Sequence, residues 1–218
     1  MLTRSAKAAF YSLAGPAMRL NGALYRHSRA PRSGFQRVHL GPGQGKYIPG
    51  WINVDANMFT ARCDVWADLR NRLPFHSGTI DALYSHHVVE HLPDIERHLS
   101  EAYRCLKPAG VYRVAGPNGD SAIRKFIAGD VGWFGDWPDK RSSIGGRFNN
   151  FILCRNEHLA ILTESYLREL LEGAGFRDVA ACVPSRETRF PDLFGTCLGF
   201  EQEDDFTTPR TLVLEAVK

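Results

Sequence analysis

The sequence predicts an α/β fold, a parallel sheet flanked by helices and preceded by a basic helical appendage. Three observations carry this. From residue 35 onward, strand-like and helix-like segments alternate. The first strand runs directly into a glycine-rich turn, and the next three strands end on polar residues. A chain of 218 residues holds one domain with an appendage and is short for two full-sized domains.

Residues 1–34 make up the appendage. Ala6, Phe10, Leu13, Ala17, Leu20 and Leu24 recur every three or four positions and form one helical stripe, with Arg4, Arg19 and Arg26 opposite. Gly15-Pro16 predicts a kink or a split in that helix. The stripe is expected to pack on the domain or on a partner subunit. An anionic membrane surface and a targeting segment stay open as alternatives.

Residues 35–218 form the domain. Phe35–Leu40 reads as a strand, followed by the turn Gly41-Pro42-Gly43-Gln44-Gly45. Trp51–Val54 leads to Asp55, Cys63–Trp66 to Asp68, and Ile80–Ser85 to His86-His87. A helix is expected from Pro93 to Leu106, then a turn at Lys107-Pro108-Ala109-Gly110 and a strand over Val111–Ala115. Residues 119–163 read as an insertion on the substrate side. Tyr166–Gly173 carries Leu167, Leu170 and Leu171 on one helical face, with Thr163 as N-cap. Strands near Val179–Val183 and Thr211–Val217 close the domain.

Composition narrows the function classes. The eight basic residues before Asp55 meet no acid, which leaves 19 basic against 24 acidic residues over 55–218, a net of −5. An acidic body argues against a general nucleic-acid surface. The five cysteines, at 63, 105, 154, 182 and 197, have no close pair, so neither a zinc ribbon nor a disulfide framework is expected. Reduced thiols in the cytoplasm are the simplest reading, and no apolar run is long enough to span a membrane.

The strand ends carry the chemistry. Glycines at 41, 43 and 45 allow close backbone approach to a ligand. They do not complete a dinucleotide fingerprint, because Lys46 stands where its third glycine belongs. Nor do they make a phosphate-cradling loop, with Leu40 and Tyr47 at the positions of its first glycine and its hydroxyl residue. Asp55 at the second strand end can accept two ribose hydroxyls, and Asp68 at the third can accept an adenine amino group. A lone strand-end aspartate is ordinarily a turn or helix cap. Four suitable ends in series on one rim favour a ligand site.

The stretches 38–45, 50–55, 67–75, 85–92 and 101–110 together resemble class I S-adenosylmethionine-dependent methyltransferases. They are similar in particular to small bacterial ones found with glycosyltransferase and polysaccharide genes. The resemblance implies a Rossmann-like sheet with an antiparallel last strand. It also implies S-adenosylmethionine as cofactor, S-adenosylhomocysteine as product and a small-molecule acceptor. Carried onto this sequence, it assigns Leu40, Gly41, Pro42, Gly43, Asp55, Ala56, Asp68, Leu69 and His86 to cofactor binding. Two departures stand out. His39 occupies a position that is usually acidic, and only nine residues separate Gly45 from Asp55, too few for a full helix. A short open loop there, with Tyr47 or Trp51 over the ligand, is expected.

His87-Val88-Val89-Glu90-His91 also satisfies the H-x-x-E-H pattern of inverted zinc peptidases, which needs both histidines on one helix face. Its place at a strand exit, just before Pro93, speaks against that reading. No metal is assigned; Glu90 and His91 are expected to hydrogen-bond neighbouring loops, with a divalent ion beside them the weaker alternative. His158 and His87 are the candidate general bases, each weighed against a structural histidine. Trp133, Phe134, Trp137, Phe148 and Phe151 form either a lid over the cleft or a satellite core. A methyltransferase fold kept as a non-catalytic binding or scaffold subunit is the other class of function. The appendage would supply any peripheral membrane or dimer contact.

Overall fold

The structure is a computed structural model and describes residues 4–28, 34–59 and 61–218. The elements follow in chain order. Helix α1 (Arg4–Ser28) precedes strands β1 (Arg37–Leu40), β2 (Ile52–Asp55), β3 (Val65–Trp66) and β4 (Ile80–His86). Helix α2 (Ile95–Cys105), strand β5 (Leu106–Pro117) and helices α3 (Gly119–Ile127), α4 (Ile144–Leu153) and α5 (Glu164–Gly173) come next. Strand β6 (Arg177–Cys182), two single-turn helices α6 (Pro191–Phe194) and α7 (Leu198–Glu201), and strand β7 (Thr211–Val217) complete the chain.

One seven-stranded sheet has the order β3-β2-β1-β4-β5-β7-β6. Its first five strands are parallel, and β7 runs antiparallel to both β5 and β6. This is the Rossmann-like methyltransferase architecture, with an antiparallel last strand. The order reverses between β1 and β4, so a crevice opens beyond their carboxyl ends.

Two apolar layers hold the sheet. On one face, Val38, Leu40, Leu83, Tyr112, Val114 and Leu214 meet α2 and α5. Helix α2 offers Ile95, Leu99, Ala102 and Cys105, a spacing that keeps one side buried, and Asp94 caps it by accepting from the Arg97 amide at 2.9 Å. In α5, Leu167, Leu170 and Leu171 are buried, and the Thr163 hydroxyl accepts the Tyr166 amide as its cap. The other face is closed by a loop and two short helices, with Ile48, Trp51, Tyr84 and Phe194 packed together. Nothing between β1 and β2 is helical among the described residues, as the short Gly45–Asp55 spacing implied.

Within that second face lies a fully buried ion triad. The Arg113 guanidinium donates to Glu201 at 2.8 and 2.9 Å and to Glu215 at 2.6 Å. The same carboxylates accept the Ser185 and Arg189 amides and the Thr188 hydroxyl. The connection between β6 and β7 is thereby tied to the sheet.

Helix α1 departs from expectation twice. It runs through Pro16 unbroken, because Pro16 and Ser12, whose carbonyl loses a partner, both face water. It also docks with the opposite face. Gly15, Met18 and Gly22 are buried, while Leu13, Leu20 and Leu24 of the apolar stripe are 82%, 61% and 58% exposed. The backbone at Gly22 comes close to Pro74, which a Cβ there would meet at 3.6 Å, an ordinary contact distance. Asn21 fixes the register by donating to the Trp66 carbonyl at 2.8 Å.

The insertion holds two helices, α3 and α4, with a satellite core. Trp133, Phe134 and Ile152 are buried there against Phe148 and Phe151, and the Trp133 indole donates to the Thr208 carbonyl at 2.8 Å. Of the five aromatic residues expected to form a lid or a satellite core, Trp137 alone is largely exposed.

Candidate active site

A cleft of about 540 Å³ lies over the carboxyl ends of β1, β2 and β4. Gly41, Gly43, Asp55, Ala56, Asp68, Leu69 and His87 line it. Gly41 has φ +68°, and a Cβ there would come within 2.5 Å of Val88, so only glycine fits this turn. Asp55 accepts the Gly43 amide at 2.9 Å and the Asn57 amide at 2.8 Å, one on each oxygen. Each oxygen keeps a lone pair for a further donor.

Asp68 is different. Its carboxylate takes both the ε and terminal nitrogens of Arg70, the Arg70 amide and the Asn71 side chain, all between 2.8 and 3.2 Å. Those contacts use up its acceptor positions. Arg70 in turn lies over the Tyr11 ring, 3.4 Å from its centroid. Burial, with the nearby Asp68 charge adding, raises the Tyr11 pKa.

Three of the residues assigned to the cofactor lie off the cleft. Leu40 and Pro42 are buried beneath the glycine turn. His86 points to the Tyr84 face of the sheet, where its Nδ1 accepts from Lys46 at 3.0 Å. The cause is the two-residue alternation of β4, which sends His86 and Tyr84 to one side and Ser85 to the other. Burial first, then the neighbouring His87 and Lys46 charges, hold the His86 pKa down to about 2. His39 is buried on that face too, its Nδ1–H donating to Asn53 Oδ1 at 3.2 Å, with burial lowering its pKa to about 4. Tyr47 and Trp51 do not cover the cleft: Tyr47 bonds Asp64, and Trp51 packs in the second core. Lys7, Ala8 and Tyr11 of α1 line it instead, with Lys7 paired to Glu157. Sequence reasoning missed that role, since the docking face, Ala8, Tyr11, Gly15, Met18, Gly22 and Tyr25, has a helical period but is built of small and amphipathic residues, less apolar than the leucine stripe.

A second cavity of about 350 Å³ adjoins the cleft and shares His87 and His91 with it. Glu90, Pro117, Trp137, Asn150, Phe151 and His158 are among its walls. His87 sits at the exit of β4 with φ +55°, and Val89–His91 form a single 3-10 turn. His87 and His91 therefore do not share a helix face, which removes the zinc-peptidase geometry. Glu90 is fully buried; its Oε1 lies 3.1 Å from His87 Nδ1. Burial works to raise the Glu90 pKa, but the His87 hydrogen bond and the His87 and His91 charges bring it below the usual glutamate value. His91 Nδ1 meets the Glu157 carbonyl and His158 Nδ1 the Ile152 carbonyl, each at 2.9 Å. Since a carbonyl only accepts, both histidines carry Nδ1–H and present Nε2 as a lone pair when neutral. Burial lowers the His158 pKa, which favours that neutral form.

A glycine-floored cleft thus lies at the switch point, with a second cavity at its mouth. Known proteins agree with the fold. Residues 39–114 match the family described as "Methyltransferase domain". Trans-aconitate 2-methyltransferase of Deinococcus radiodurans is 32% identical over 106 residues, 48% of this chain and 38% of that protein. The match thus spans about two fifths of the length of that curated relative. Among solved structures, an S-adenosylmethionine-dependent methyltransferase of Thermotoga maritima superposes with a TM-score of 0.54 at 17% identity, covering 97% of this chain and 95% of the other. One from Archaeoglobus fulgidus gives 0.54 at 18% identity, covering 95% and 99%. Phosphoethanolamine N-methyltransferase 2 of Haemonchus contortus, solved with S-adenosyl-L-methionine, gives 0.51 at 14% identity, covering 92% of this chain and 52% of its own.

Proposed function

We propose that the chain transfers a methyl group from S-adenosylmethionine to an oxygen or nitrogen of a small molecule. The observation that carries this reading is the pair of adjoining cavities sharing His87. The larger suits the cofactor: its glycine floor admits close backbone approach, and Asp55 retains one acceptor site per oxygen for the ribose hydroxyls. Gly41, Gly43, Asp55, Ala56 and Leu69 would hold the cofactor, with Tyr11 and Arg70 as a wall. Bound there, the cofactor supplies a methyl already activated on a sulfonium, so the protein's work is alignment and proton removal.

His87 is the residue we assign to the proton. Glu90 behind it fixes Nδ1–H and leaves Nε2 to accept, the arrangement of an oriented general base. The acceptor's proton goes to His87, the acceptor atom bonds to the methyl carbon, and the carbon–sulfur electron pair leaves with sulfur. His158 faces the acceptor cavity with a second imidazole lone pair. A sugar, a glycolipid or another secondary metabolite fits a cavity with both aromatic and polar walls, Trp137 and Phe151 beside Asn150. Association with polysaccharide assembly, a cytoplasmic location and a membrane or dimer contact through the exposed leucines of α1 belong to the same reading. No helix among the described residues is long and apolar enough to cross a membrane.

Two measurements test it. S-adenosylhomocysteine titrated into the protein in a calorimeter should bind with micromolar-range affinity; no heat at saturating ligand would end the cofactor assignment. Labelled methyl transfer to pools of saccharides, glycolipids and amines then separates an enzyme from a binding subunit. Binding without transfer to any pool would favour the subunit.

A further inference from the structure

Glu90, His91 and His158 each bring one ligand atom into a group whose members all lie within 4.8 Å of one another. Three features make this group more than neighbouring polar residues. Both imidazoles are oriented through Nδ1 by backbone carbonyls at 2.9 Å, the outer-shell arrangement that typically fixes metal-binding histidines, and their rings meet at 4.9 Å. The carboxylate is fully buried, and although Oε1 has His87, Oε2 has no hydrogen-bond partner among the described residues. A buried carboxylate oxygen without a donor is unfavourable unless a cation or a donor answers it. The elements that carry the group are also fixed independently of any ion: the Leu159 amide donates to the Glu90 carbonyl at 2.7 Å, joining the two loops.

We propose that Glu90, His91 and His158 bind a divalent first-row transition ion at the wall of the acceptor cavity, where the ion holds the acceptor oxygen beside His87. Two imidazoles and one carboxylate are a donor set for zinc, cobalt, manganese or iron rather than for calcium or magnesium. Ligands on such an ion stand about 3–4 Å apart at bond lengths near 2.1 Å, so small side-chain rotations close the group. Three protein ligands leave coordination positions open to a substrate. The inference rests on the methyl-transfer reading and sharpens it toward a hydroxyl acceptor. A hydroxyl oxygen on the ion becomes more acidic and keeps a further lone pair for the methyl carbon. An amine on the ion would have its one lone pair tied up. The hydroxyl proton still passes to His87, and the carbon–sulfur bond still breaks toward sulfur.

The test uses the full chain and cobalt(II) chloride, read by calorimetry and by visible absorption. S-adenosylhomocysteine is titrated separately into every variant. Wild type should bind one cobalt ion per chain with the absorption of a coordinated ion, and zinc should displace it. Glu90→Gln and His158→Ala should each lose about a hundredfold in cobalt affinity while keeping S-adenosylhomocysteine affinity, and His76→Ala should lose none. If Glu90→Gln, a change in the core, fails to fold, His158→Ala and His91→Ala decide alone. Failure of wild type to bind cobalt, or binding that His158→Ala leaves intact, overturns the metal site. Loss of S-adenosylhomocysteine binding by wild type instead overturns the cofactor reading, while the cobalt result still stands on its own.

Discussion

The proposed cofactor side and the proposed acceptor side of this molecule are built by different means. On the cofactor side, Gly41, Gly43, Asp55, Ala56 and Leu69 stand at or within three residues of strand ends, so parallel pairing of β1, β2 and β3 brings them to one rim. On the acceptor side, Glu90, His91, Trp137, Asn150 and His158 come from a strand exit, a loop and an insertion helix, joined by contacts such as His91 to Glu157 across 66 residues. The difference teaches where specificity can change. A rim fixed by sheet pairing tolerates little movement, whereas an insertion with its own small core of Trp133, Phe134 and Ile152 can be resized without disturbing the sheet.

Substitutions can break this comparison or sharpen it. The largest effect is expected from His87→Ala. Single-turnover methylation should slow by about a hundredfold to ten-thousandfold while S-adenosylhomocysteine affinity holds. A parallel loss of both would move His87 to the cofactor side. Asp55→Ala comes next, with cofactor binding weakened by about 2–4 kcal/mol, because two charge-assisted hydrogen bonds go. Calorimetry reads it directly, and equal binding by both proteins would remove Asp55 from the ribose.

A third expectation concerns the sheet beneath both sides. His39 is held by burial to about 4, below its ordinary 6.5. The unfolded chain therefore takes up the proton first as pH falls. Stability is complete above 6.5, falls as pH drops from there toward 4, and His39 alone accounts for about 2 kcal/mol between about pH 7 and pH 5. His86, depressed by burial to about 2, adds in the same direction. Thermal melts across that range should show the decline, and His39→Gln should make it shallower; a flat profile for wild type would contradict the burial of these rings. The smallest effect is expected at Trp137. Trp137→Ala should raise the acceptor KM by up to about tenfold, through loss of one stacking face, with cofactor affinity unchanged.

Much of the cleft proposed for the cofactor was legible in the sequence because strand ends announce themselves. A run such as Ile52-Asn53-Val54 stops at Asp55, and where the strand stops, the rim begins. Side-chain direction was less legible. His86 and His87 are adjacent, yet one faces the Tyr84 core and the other the cleft, since His87 adopts φ +55° just past the strand. The docking of α1 was misread for a different reason. The periodic leucines advertise an apolar face, but the docked side carries Gly15, Met18, Gly22 and Tyr25, whose small and amphipathic residues mark a hydrophobicity pattern weakly. Lys7 and Tyr11 enter the cleft wall as a result, and Arg70 fills the acceptor sites of Asp68 that an adenine amine was expected to use.

The strand order has a consequence for how this chain can be cut or extended. Strand β7 is the last element in sequence, yet it lies between β5 and β6 rather than at an edge. Removing it would not trim the sheet. It would open a seam through the middle, baring the hydrogen-bonding edges of both neighbours and leaving Arg113 without Glu215. The β5–β7 pairing also spans long stretches of chain, Arg113 to Glu215 across 102 residues, so closing it carries a large loop-closure cost. Anything joined after Lys218 therefore runs on from an interior strand, while anything joined ahead of α1 leaves that seam alone.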